Sequence, residues 1–182
     1  MIKRITAAVL TVAISMLAFA GCGSKTDEFV TIDNVNQSSI NVAEGFFQSV
    51  FTGDEEMFCA CYPDSFKEFV NADGEQVDMH QVFEQYTSTS MPDYTYLGAS
   101  VSAYNDYVEE NNYDFPSLQI DISVIHHMEV EQIEAAQIVK LRLNFQNGEG
   151  EHVTTDVYIL VYKSGSAWYV FELQNSDAEF AV

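Results

Sequence analysis

The chain has 182 residues, 47% apolar and 13% aromatic, which suits one packed domain and argues against wholesale disorder. Seven Lys and Arg against 28 Asp and Glu give a net charge of −21. That excess makes nucleic acid a poor partner, because phosphate binding needs clustered cations. Three Cys and four His support neither a disulfide framework nor a multi-zinc scaffold.

Lys3 and Arg4 precede an uncharged run from Ile5 to Ala20, which leads into Phe19-Ala20-Gly21-Cys22. Cations, a short apolar stretch and small residues in that order read as a secretory signal over residues 1–21. A membrane-spanning helix would need ~20 apolar residues, more than this run supplies. The stretch resembles a bacterial lipoprotein signal, in which a peptidase cuts before the Cys and the thiol receives diacylglycerol. Carried over, the cut falls between Gly21 and Cys22, and Cys22 becomes a lipidated amino terminus. Phe19 stands where that family prefers Leu. The resemblance implies an extracytoplasmic protein held by lipid on the bacterial cell membrane. Cleavage would remove two cations and no acid, so lipid and not charge would hold it there. The mostly polar residues 23–37 read as a flexible tether between Cys22 and the body.

From Ser38 onward, apolar residues at 40, 43, 46, 47, 50 and 51 predict a helix, with Ser38 or Ser39 at its start and Gly53 at its end. Asp54 opens a second helix through Met57, Phe58 and Cys61. Pro63 suits the first turn of a third, carrying Phe66, Phe69 and Val70. Residues 71–74 read as a turn, and Asp78 caps a fourth helix with Met79, Val82, Phe83 and Tyr86. After Pro92 the period drops to two. Strands are expected over 94–101, 120–130, 139–145, 153–162 and 168–173, with turns at 146–150 and 163–166 and a short helix in the polar stretch 104–114. Helices followed by long antiparallel strands give an α+β fold: N-terminal helices on one face of a curved antiparallel sheet, in a single domain over 38–182.

Two stretches carry a further resemblance. One is Ala43-x-x-Phe46-Phe47 followed by Gly53-Asp54 and a second helix. The other is the final hairpin with Lys163-x-Gly165-x-x-Trp168-Tyr169-Val170. With the order of elements, they make residues 38–175 similar to the NTF2-like superfamily, the cystatin-like α+β rolls. Small envelope lipoproteins of Gram-positive bacteria with such a domain are the nearer likeness. The resemblance implies a cone with an apolar pocket between sheet and helices. The superfamily includes isomerases, dehydratases and many domains with no known activity, so the fold implies no reaction.

Residue chemistry adds little. Cys59 and Cys61 lie two apart on a helix, where they cannot bond each other, and read as buried thiols. In a strand over 120–130, His126 shares a face with Ile120, Ile122, Val124 and Met128 and points inward, while His127 points away. His126 reads as a packing residue, with a general acid/base as the alternative. Tyr158, Tyr162, Trp168 and Tyr169 read equally as cross-strand pairs or as walls of a pocket shared with His126. Asp106, Glu109, Glu110 and Asp114 do not fit a calcium loop and read as a solvated face. No cofactor, metal or catalytic residue is expected. The sequence therefore points to a non-catalytic module that binds a small apolar ligand or an envelope protein. The alternatives are a small isomerase or dehydratase using His126, and a structural helper of an envelope assembly.

Overall fold

The computed structural model describes residues 29–71, 73–87, 93–106 and 115–174. The expected signal, Cys22, and Glu109, Glu110 and Asp114 lie outside them. The helices are α1 (Ser39–Thr52), α2 (Glu55–Ala60), α3 (Asp64–Lys67), α4 (Met79–Thr87) and α5 (Phe115–His126). The strands are β1 (Tyr94–Asp106), β2 (Ile133–Asn147), β3 (His152–Ser164) and β4 (Ala167–Gln174), all antiparallel in the order β1-β2-β3-β4. The fold is α+β, helices against a curled four-stranded sheet.

The helix starts follow local chemistry. Ser38 accepts a hydrogen bond from the Asn41 N–H, and Asp54 accepts one from the Met57 N–H, each satisfying an orphan donor of the first turn. Gly53 ends α1 at φ 76°, a left-handed conformation that glycine adopts without a Cβ clash. Val42, Ala43, Phe46, Phe47 and Val50 form the buried stripe of α1. They meet Val139, Leu141, Leu143 and Phe145 of β2, Ile159 and Val161 of β3, and Val170 of β4 in the main core. Met57 and Phe58 of α2 and Phe83 of α4 complete this layer. The third helix is shorter than expected: Val70 leaves it to form an isolated bridge with Gln76.

Three further expectations are corrected. The first is the carboxyl-terminal part of the tether, residues 29–37; residues 23–28 lie outside the described residues. Residues 29–37 pack against α1, with Val35 wholly buried and Val30 buried beside it. The Val30 N–H donates to Gln48 Oε1, and Gln48 Nε2 donates back to the Val30 carbonyl, both at 3.0 Å. Asn36 donates to the carbonyls of Ala60 and Trp168, and its own carbonyl accepts the Trp168 N–H. The Val170 N–H bonds the Cys61 carbonyl. The edge of β4 is thereby covered, which is one way a sheet avoids pairing with a stranger. The described body thus begins by Phe29, not Ser38.

The second is 120–130, a helix and not a strand. Leu118, Ile122 and His126, four residues apart, are its buried positions. Pro116 sits in its first turn, where a missing N–H costs nothing. The third is the layering. On β2, Ala136 and Ile138 point opposite to Val139 and Leu141; on β3, Leu160 and Tyr162 point opposite to Ile159 and Val161. Together with Leu118 and Ile122 of α5 they form a second core. So α5 covers the face of the sheet that α1 does not. At the amino end of the expected 104–114 helix, residues 104–106 continue β1, paired with Val139, Ile138 and Gln137.

Candidate functional site

The second core brings Tyr162 against His126, the residue on which the acid/base alternative rests. His126, in the last turn of α5, is 1% exposed, and its Nδ1 lies 2.7 Å from the hydroxyl oxygen of Tyr162 on β3. The rings of Tyr62, Phe66, Tyr162 and Phe171 surround the imidazole at centroid distances of 4.9–6.1 Å. Ser65 of α3 donates to the His126 backbone carbonyl at 2.7 Å. That bond satisfies one of the carbonyls a helix leaves unpaired at its C-terminus.

Burial sets the protonation state. Desolvation pushes the His126 pKa down to about 3, and neighbouring His127 adds to the effect, so the ring is neutral at physiological pH. Burial also raises the Tyr162 hydroxyl, so that group stays protonated. The pair is a neutral hydrogen bond inside a greasy aromatic box. It cannot trade protons with solvent while the box is closed.

His127 is exposed and left-handed, at φ 54°, where it ends α5. A non-glycine residue there is costly. Two contacts offset the cost: the imidazole stacks on Phe69 at 3.3 Å, and the Met128 N–H closes back onto the Ser123 carbonyl. Adjacent histidines thus divide into a buried tie and a surface cap.

The expected pocket set is not one set. Tyr162 lies with His126, and Tyr169 packs beside it. Tyr158 is on the same face at the margin, with Lys140 Nζ 5.4 Å from its ring centroid. Trp168 packs against the α1 core instead, because it alternates with Tyr169 along β4. Beyond Tyr158 that face becomes polar: Arg142 forks onto Asp156 at 2.9 and 3.2 Å, and Lys140 joins at 3.1 Å. These are cross-strand ion pairs that hold Asp156 below the usual carboxylate range, the Arg142 bond contributing most.

Cys61 is buried, and burial pushes its thiol up; Cys59 is half-buried and shifted the same way. Both are free and of low nucleophilicity. Among the described residues no three His, Cys, Asp or Glu side chains are grouped to hold a metal ion, and no helix is long and apolar enough to cross a membrane. Searches against protein-family models, curated proteins and solved structures each found no match.

Proposed function

We propose that this protein is a lipid-anchored, extracytoplasmic interaction module, built on an NTF2-like domain and without a catalytic centre of its own. The observation that carries this reading is the sealing of His126, the residue best placed to act as an acid or base. Its Nδ1 is engaged by Tyr162 and four aromatic rings close over it. Reach to a tyrosine hydroxyl favours the isomerase-like alternative, but a general acid or base must also reach substrate. On the other face, Phe46, Phe58, Phe83 and Tyr86 lie ring to ring at 5.1–5.7 Å, filling space that an apolar ligand would need. That packing favours a protein partner over a small apolar ligand. The anchor is Cys22, on the strength of the signal that precedes it.

Diethyl pyrocarbonate tests the carrying observation. Exposed His80, His127 and His152 should react in the native protein while His126 stays unmodified. Modification of His126 at a comparable rate would move the reading to an acid/base enzyme. Metabolic labelling with a fatty-acid analogue tests the anchor: label should enter the wild type and be absent from Cys22→Ser.

A further inference from the structure

The helix that closes over His126 has an outer face with an unusual composition. Ile120 is 54% exposed, Val124 65% and Ile125 47%. Ile120 and Val124 are one turn apart and form one apolar strip along α5, and Ile125 projects about 100° further round, beyond Asp121. A helix apolar on both its inner and outer sides is normally buried on both. Here the inner side covers the sheet and the outer side is open.

Position and charge say what the patch faces. Gln119 of α5 donates to the Ile133 carbonyl, and His126 meets Tyr162, so α5 lies across the end of the sheet where β2 begins. Phe29, where the described chain begins, touches Tyr96, which in turn meets Phe145 near the end of β2. Those two ends of β2 are about 40 Å apart along the strand. Between Cys22 and Phe29 the chain can span no more than ~25 Å. The lipid therefore holds the Phe29 end near the bilayer, and the α5 patch is displayed at the other end. The rim is acidic: Asp121 lies on α5, and Glu129 and Glu131 lie in the turn after it, all exposed. Two copies of a chain with a net charge of −21 would repel across such a contact.

We infer that the outer face of α5 is a docking surface for a protein partner that presents an apolar ridge flanked by Lys and Arg. The geometry is that of an interface centre, an aliphatic cluster that excludes water inside a charged rim. Acidic rim and basic partner steer the encounter, and the cluster sets the residence time. This inference rests on the anchored-module reading and names its partner class.

The test uses the full-length acylated protein in zwitterionic nanodiscs and two helical peptides with the same apolar face, one Leu/Lys and one Leu/Gln. The Leu/Lys peptide should shift the methyl resonances of Ile120 and Val124 before those of Ile125 and the rest. Ile120→Asn/Val124→Asn should weaken it about tenfold or more, with only a small fall in melting temperature because each side chain is more than half exposed. Asp121→Lys should weaken it less, and that loss should shrink as salt rises toward ~150 mM. The Leu/Gln peptide should bind more weakly than the Leu/Lys peptide. Binding indifferent to the double substitution would overturn the inference, as would concentration-dependent dimerisation through α5 or α5 methyl shifts produced by nanodisc lipid alone. Failure to enter nanodiscs would fall on the anchor; in that event the same titration on the soluble full-length protein decides the docking surface.

Discussion

His126 Nδ1 and the Tyr162 hydroxyl oxygen are 2.7 Å apart, and this bond ties the last turn of α5 to the third strand of the sheet. It crosses the boundary between α5 and the strands beneath it. Its value is mostly what happens when half of it is lost. Tyr162→Phe keeps the ring and strands a buried imidazole nitrogen, which should cost ~1–3 kcal/mol. His126→Phe should cost a similar amount, and the double variant less than the sum, since neither polar group is then left alone. Chemical denaturation of the four proteins measures this; full additivity would mean the bond contributes nothing.

The same histidine makes the fold acid-sensitive. Its folded pKa of about 3 lies below the ordinary value near 6.5, so in that window the unfolded chain binds a proton that the folded chain refuses. Stability therefore falls as pH drops from about 6.5 to about 3, by up to ~1.4 kcal/mol per pH unit. Asp156 and Glu134, held low mainly by Arg142 and Lys163, lose their contributions in acid as well. Exposed His80, raised chiefly by its bond to Glu55, acts in the opposite sense. His126→Gln should flatten the pH dependence of the unfolding free energy by about one proton between pH 3.5 and 6. A slope identical to wild type would show that His126 already titrates in the folded state.

Gly45 lies in the middle of α1, where glycine costs about 1 kcal/mol relative to alanine. The structure explains its presence: a Cβ there would come within 2.5 Å of Val35 Cγ2. Gly45→Ala should destabilise by ~1–3 kcal/mol through overpacking, less the helix-propensity gain of about 1. Gly45→Ala/Val35→Ala should recover the clash component. A lone Gly45→Ala that melts higher than wild type would show the strap to be loosely held.

A net charge of −21 should also make the fold prefer salt. Screening of self-repulsion predicts a higher melting temperature at ~150 mM than at ~10 mM sodium chloride. A flat or falling response would mean that the ion pairs of Lys67, Lys140, Arg142 and Lys163 outweigh the repulsion.

Much of this architecture is readable from periodicity alone. The stripe of α1 and the alternation of Val139, Leu141, Leu143 and Phe145 are clean, and each repeat matches one buried face. Residues 120–130 misled because Ile120, Ile122, Val124 and Met128 alternate by chance with Asp121, Ser123, His127 and Glu129, an alternation that only Ile125 breaks. Exposed Ile120 and Val124 mimic a strand face, while the true stripe of Leu118, Ile122 and His126 is sparse. Pro116 was the signal for a helix start. In 29–37 the polar majority hid Val30 and Val35, and only the unexplained glycine in α1 hinted that something pressed there. The site followed the same logic. His126 does point inward, but through the helical stripe it shares with Leu118 and Ile122 and not through a strand face with Ile120 and Val124, which are exposed; its partner Tyr162 lies 36 residues away, and no local pattern encodes a contact across a helix–sheet boundary.

The strap from Phe29 to Asn36 has a mechanical consequence. A tug on the amino end enters the body at Phe29 and meets first the paired bonds between Val30 and Gln48, then the wedge of Val35 over Gly45, and last the clamp of Asn36 on Trp168. Loaded in that order the contacts give way one at a time, as tape peels, and β4 takes the load once the clamp on Trp168 is taut. The strap is a fuse in series with the sheet: it can yield and reseat while the fold behind it stays intact.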